Sequence, residues 1–104
     1  VLKGAGTLVG VLEASDNTDD ANAPDPIYGL CERGNPAMAT AGMGDVLTGA
    51  IAGILGQCHD PWLAARAGVM AHALAGDDIA RDRQRGVLAL ELAEALNRFV
   101  NLRR

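Results

Sequence analysis

Gly34-Asn35-Pro36-Ala37-Met38-Ala39-Thr40-Ala41-Gly42-Met43-Gly44-Asp45-Val46-Leu47-Thr48-Gly49 is the stretch on which the reading of this chain turns. Small, flexible residues lead to a lone acid, Asp45, and an apolar, helix-compatible run follows it at once. This layout presents the backbone N–H groups of Ala41 to Gly44 around a helix N-terminus, where the dipole favours an anion. It also sets a carboxylate beside that anion position. Phosphate and carboxylate repel each other, so their pairing needs a reason. One reason is a base that activates a hydroxyl for phosphoryl transfer. Another is that Asp45 caps the helix, since Asp satisfies the exposed amides there. The two roles are compatible, and spacing alone leaves both open.

Outward from this stretch, short strands followed by helices predict an α/β chain. Val1 to Lys3 and Thr7 to Glu13 read as two short strands around the Gly4-Ala5-Gly6 turn. Ser15 to Pro26 is polar and acidic and carries Pro24 and Pro26, so it reads as a solvated loop. Ile27 to Glu32 is read as a further short strand ending at Arg33-Gly34. A first helix is expected over Gly44 to Gln57, with Val46, Leu47, Ala50, Ile51, Ile54 and Leu55 forming a broad apolar face. Gly49 and Gly53 on that helix are expected to admit a closely packed neighbour. Asp60-Pro61 marks a second helix start, with Asp as cap and Pro in the first turn, running to Leu74 or beyond. The charged segment Asp77 to Gly86 reads as helix end and loop. The third helix, about Ala89 to Asn101, should bury Leu92, Ala95, Leu96 and Phe99.

Composition bounds the function. A chain of 104 residues supports one modest core, and with only Trp62, Tyr28 and Phe99 as aromatics that core must be aliphatic. A net charge of −4 argues against electrostatic capture of nucleic acid, although backbone donors and one well-placed cation still bind phosphate locally. The apolar stretch around Val46 to Leu55 is too short to span a bilayer. Cys31 and Cys58 lack metal-type spacing and a disulfide-rich context, so a reducing, cytoplasmic setting is expected.

The glycine turns narrow the kind of phosphate site. Gly4-Ala5-Gly6 followed by Gly10 superficially matches a dinucleotide fingerprint, but that fingerprint needs a helix after the glycines and Thr7 to Leu12 reads as extended. The chain has no Gly-Lys-Ser/Thr element, which excludes a Walker-type loop within it. Two turns remain: Lys3 to Thr7, and an anion hole at Gly42, Met43 and Gly44. Lys3, the sole lysine, ends an apolar strand beside glycines. The Thr7 hydroxyl is able to donate to a phosphate. Gly42 and Gly44 either relieve backbone strain or bring N–H groups to phosphate, and both need the same lack of side chain.

The residues also carry a resemblance. Asn35, the Met38-Ala39-Thr40 step, the Gly42-Met43-Gly44-Asp45 turn and the Val46-Leu47-Thr48-Gly49 helix start resemble the signature of ADP/ATP-dependent NAD(P)H-hydrate dehydratases, which belong to the ribokinase-like carbohydrate kinases. The opening Val1-Leu2-Lys3-Gly4-Ala5-Gly6-Thr7 is similar to that family's nucleotide-binding strand and turn. His72 with Gly76-Asp77 resembles a later helix, and Gly86-Val87-Leu88-Ala89 the lead into the last one. The resemblance implies that residues 1–104 are the C-terminal part of a ribokinase-like three-layer α/β/α domain.

It also implies the chemistry. Lys3, Gly4, Ala5, Gly6, Thr7 and Gly44 would contact an adenine nucleotide, and Asp45 would face the substrate, hydrated NADH or NADPH (NADHX, NADPHX). ADP or ATP would donate the phosphoryl group with Mg²⁺ held largely by phosphate oxygens and water. Rival readings are a vitamin-precursor kinase of the same fold and a non-catalytic nucleotide-binding remnant. A partial domain is expected to expose apolar sheet edges and helix faces and so to favour homo-oligomers. Alone, it is expected to be marginally stable and essentially inactive. His72 has no metal-type partner one turn away and reads as a helix-packed histidine near the nucleotide. Asp77 and Asp78 read as capping or solvating a helix end, and Arg81, Arg83 and Arg85 as exposed surface.

Overall fold

The computed structural model describes residues 1–11 and 26–101. Two strands, β1 (Thr7–Val11) and β2 (Ile27–Cys31), precede three helices: α1 (Met43–Cys58), α2 (Pro61–Ile79) and α3 (Ala89–Val100). This is the expected α/β order. The strands pair antiparallel, with Thr7 opposite Cys31 and Val11 opposite Ile27. Side chains alternate across a strand, so Thr7, Val9 and Cys31 turn inward and are buried, while Leu8, Tyr28 and Leu30 stand exposed on the other face. The end of the expected first strand at Leu12 and Glu13, and nearly all of the Ser15 to Pro26 loop, lie outside the described residues.

Val1 to Lys3 forms no strand. It contributes one antiparallel bridge, Leu2 to Leu8, in which each amide donates to the other's carbonyl at 2.8 and 2.9 Å. Gly6, at φ 97°, turns the chain back so soon that a single pair faces across.

The helices pack in two clusters, one of them against the inner face of the sheet. Val9, Cys31, Leu47, Val69 and Ala73 join sheet to α1 and α2, with Trp62 and Ile51 at the margin. Met38, Met43, Ala75, Val87, Leu92 and Ala95 join α1, α2 and α3, with Leu96 and Phe99 packed against them. The α3 positions are those expected from its apolar spacing.

Asp60 starts α2 as its sequence predicts, its Oδ1 accepting from the Leu63 amide at 3.1 Å. The helix runs five residues past Leu74 and continues into a 3₁₀ turn at Ala80–Asp82. Its charged end is held by one local and one tertiary partner: Asp78 pairs with Arg81 one turn on at 3.1 Å and with Arg98 of α3 at 2.7 Å.

The small-residue expectation for α1 is corrected. A methyl at Gly49 or Gly53 meets nothing within 4 Å, because α1 turns the opposite side, with Leu47 and Ile51, toward α2. Close approach occurs on α2 instead. A Cβ at Gly68 would lie 2.6 Å from Ile51 Cγ1 and 3.2 Å from its Cα. Gly76 similarly makes room for Met38, whose Cγ would lie 2.8 Å from an added Cβ.

Candidate active site

The turn that opens the chain, Lys3-Gly4-Ala5-Gly6-Thr7, lines a cavity of about 750 Å³. Arg33, Gly34 and Asn35 also line it, as do Leu47, Val69 and His72. Lys3 to Thr7 and His72, six residues that the sequence places near the nucleotide, therefore meet on one cavity. Sequence reasoning had given Arg33 and Asn35 no place there. Partial burial pulls the Lys3 ammonium below the usual lysine value.

Gly34 and Asn35 hold their position through a contact that no local pattern announces. The Gly34 amide donates to Asp77 Oδ2 at 3.2 Å, and Asn35 Nδ2 donates to Asp77 Oδ1 at 2.8 Å. One carboxylate on α2 thus clamps the turn, forty-two residues away in sequence from Asn35. The Asn35 carbonyl oxygen then accepts from the Ala37 amide at 3.0 Å and starts the short 3₁₀ turn Pro36–Met38. Gly34 adopts φ 105°, a region that favours glycine. Asp77 is therefore a bridge between elements, where the sequence suggested only a cap or a solvated charge.

Gly42, Met43, Gly44 and Asp45 open α1 and are not among the residues lining the cavity. Gly42 is the N-cap at φ 88°, and a Cβ there would meet Ala89 Cβ at 3.0 Å, so both backbone and space call for glycine. Asp45 does not cap the helix. It lies in the first turn, exposed, and no side-chain hydrogen bond caps the helix start. The first amides of any helix lack intrahelical acceptors, which leaves those of Gly44 and Asp45 open beside the Asp45 carboxylate. The capping alternative is thereby corrected, because the cap position falls to Gly42 three residues earlier.

His72 connects the two parts. It sits on α2 at 3% exposure, lines the cavity, and its Nε2 lies 3.0 Å from the Met43 carbonyl. A carbonyl only accepts, so Nε2 carries the proton in this bond. Burial pushes the imidazole below its ordinary value, the Met43 bond opposes this, and the Lys3 charge adds to the depression. The expectation of a helix-packed histidine, hydrogen-bonded or partly exposed, is met in its first form, since the ring is bonded and buried. Among the described residues no group of three or more His, Cys, Asp or Glu side chains is placed to hold a metal ion. No described helix is long and apolar enough to cross a membrane.

Residues 8–98 match the carbohydrate-kinase family described as NAD(P)H-hydrate dehydratase. The chain is 46% identical over 102 residues to the bifunctional NAD(P)H-hydrate repair enzyme Nnr of Escherichia coli (strain K12), covering 97% of the chain and 18% of that protein. It is 42% identical over 102 residues to the repair enzyme of the same name from Coxiella burnetii, again over 97% of the chain and 18% of the relative. An ADP-dependent (S)-NAD(P)H-hydrate dehydratase of Listeria monocytogenes is 41% identical over 69 residues, 66% of the chain and 25% of that protein. The chain thus spans a quarter or less of the length of these relatives. No solved structure matches it.

Proposed function

Because the chain belongs to the NAD(P)H-hydrate dehydratase family, we propose that it is the C-terminal part of a ribokinase-like domain and supplies the adenine-nucleotide side of an ADP-dependent dehydratase site for hydrated NADH and NADPH. The observation that carries this reading is the cavity walled by Lys3 to Thr7, joined through His72 to the uncapped start of α1. Lys3 and the glycine backbone of residues 4–6 bind nucleotide phosphates, and the Thr7 hydroxyl donates to one of them. At the α1 start, in the expected anion hole of Gly42, Met43 and Gly44, the open amides of Gly44 and Asp45 receive the transferring phosphoryl group, whose charge the helix dipole favours.

Asp45 stands beside that position and takes the proton from the hydroxyl of the hydrated nicotinamide ring as its oxygen attacks the terminal phosphorus of ADP. An O–P bond forms, the bond to the AMP oxygen breaks, and AMP leaves. Phosphate is a far better leaving group than hydroxide. Loss of phosphate from one ring carbon and of a proton from its neighbour restores the double bond of NADH or NADPH. Mg²⁺, when bound, neutralises phosphate charge. Phosphate oxygens and water would hold most of its coordination sphere. A soluble, cytoplasmic setting is part of the same proposal.

The test replaces the matching segment of the Escherichia coli relative with this chain. Dehydration predicts return of the reduced-nicotinamide absorbance from hydrated NADH with ADP and Mg²⁺, and formation of AMP and inorganic phosphate. A stable phosphorylated product would favour the kinase reading. Nucleotide binding without turnover would favour a non-catalytic remnant.

A further inference from the structure

We propose that His72 is a positioning residue, whose Nε2–H bond to the Met43 carbonyl fixes the first turn of α1 so that the Gly44 and Asp45 amides meet the terminal phosphate of a bound adenine nucleotide. The inference rests on the nucleotide reading above and adds to it a residue that binds nothing itself.

The start of α1 is a soft piece of backbone. Glycines stand on both sides of Met43, at Gly42 and Gly44, and no side chain caps the helix. Met43 is nevertheless pinned twice. Its side chain is 2% exposed within the cluster shared with α3, and its carbonyl receives the His72 bond at 3.0 Å. As the first helical residue, Met43 directs one carbonyl lone pair to the amide one turn on, and His72 takes the second. The His72 bond is therefore additional to the helix ladder. Its loss leaves the helix able to form while freeing the orientation of its opening turn.

His72 is suited to this task because it is fixed on both sides. It rises from a run of α2 in which Ala71, Ala73, Ala75 and Gly76 are buried, and it also forms part of the cavity wall near Lys3. Any nucleotide phosphate held by the Lys3 to Thr7 turn shares its cavity with the ring that sets the α1 amides. Burial and Lys3 favour the neutral ring, so the bond is made by one defined tautomer.

The test is ADP titration of the full 104-residue chain, followed by calorimetry and by the ¹⁵N–¹H amide signals, for the wild type, His72→Gln and His72→Leu. Gln places a donor nitrogen where Nε2 stands; Leu keeps bulk and removes the donor. The wild type should bind ADP with shifts at the Gly44 and Asp45 amides, and its ring ¹⁵N signals should report the neutral Nε2–H form. His72→Gln should stay within about twofold in affinity, whereas His72→Leu should weaken ADP by about tenfold, the worth of one hydrogen bond, and lose those amide shifts. Unchanged affinity in a folded His72→Leu overturns the inference alone. So does an Nδ1–H tautomer, or a His72→Gln variant about tenfold weaker despite its donor, and these two decide the matter if the Leu variant does not fold. Failure of the wild type to bind ADP overturns the nucleotide reading and this inference with it.

Discussion

Replacing Asp77 tests whether the clamp on the Gly34-Asn35 turn holds the cavity wall in place. Its carboxylate accepts two bonds, from the Gly34 amide at 3.2 Å and from Asn35 Nδ2 at 2.8 Å. Hydrogen bonds to a charged group contribute about 1.5–3 kcal/mol each, and the partial exposure of this pair argues for the lower end. Asp77→Ala therefore loses about 3 kcal/mol of bonding, while the better helix propensity of Ala on α2 returns about 0.6 kcal/mol. The net expectation is a loss of about 2 kcal/mol, or roughly 8–16 °C in melting temperature for a domain of this size. Asp77→Asn replaces one of the two acceptor oxygens, each of which holds a different donor, by an NH₂ group and should lose about 1.5 kcal/mol. Far-UV circular dichroism during urea and thermal unfolding measures both. Asn35→Ala combined with Asp77→Ala should show a coupling of about 1 kcal/mol. The reasoning is refuted if Asp77→Ala melts with the wild type, or if the two substitutions add without coupling.

Other consequences are equally direct. Gly68→Ala, whose new methyl would press on Ile51, should destabilise by about 1–2 kcal/mol after its gain in helix propensity, while Gly53→Ala, open on all sides, should stabilise by up to about 1 kcal/mol; chemical denaturation reads both signs. Burial, with help from Lys3, holds His72 below the ordinary imidazole value of about 6.5. The unfolded chain then takes up the proton first on acidification, so stability is fully present above about pH 6.5 and falls as pH drops toward the depressed folded value. His72→Gln should flatten that part of a denaturant-midpoint profile. Glu91, held low by the Leu88 amide and then by Arg83, adds a separate loss at more acidic pH that Glu91→Gln should remove. Lys3→Met should weaken ADP binding by calorimetry while leaving the melt nearly unchanged, since Lys3 lies exposed at the cavity.

What the sequence made legible was local. Asp60-Pro61 announced α2 because a cap and a proline act within one turn, and the spacing of Leu92, Ala95, Leu96 and Phe99 announced the buried side of α3. Signals that depend on distant partners did not show. Gly49 and Gly53 have the same spacing as a packing motif, but α1 is oriented by Leu47 and Ile51, so the glycines that matter are Gly68 and Gly76 on the next helix. Asp45 resembled a cap because Asp is a good one, yet the helix begins earlier, where Gly42 reaches a positive φ that Asp adopts less readily. Asp77 looked like a surface acid because its partners, Gly34 and Asn35, are over forty residues away. The candidate site followed the same division. The Lys3 to Thr7 turn was recognisable from its own residues and from family resemblance, whereas the joining of that turn to the α1 start through His72 emerged only from the packing of α2.

The most direct measurement of the central claim is the steady-state rate at which the Escherichia coli enzyme carrying this chain in place of its matching segment restores NADH from its hydrate, with Asp45 intact and with Asp45→Asn. A general base contributes about 10²–10⁴-fold, so the account predicts a fall in kcat of at least about a hundredfold with ADP affinity nearly unchanged. An Asp45→Asn enzyme that turns over at the parental rate would contradict it.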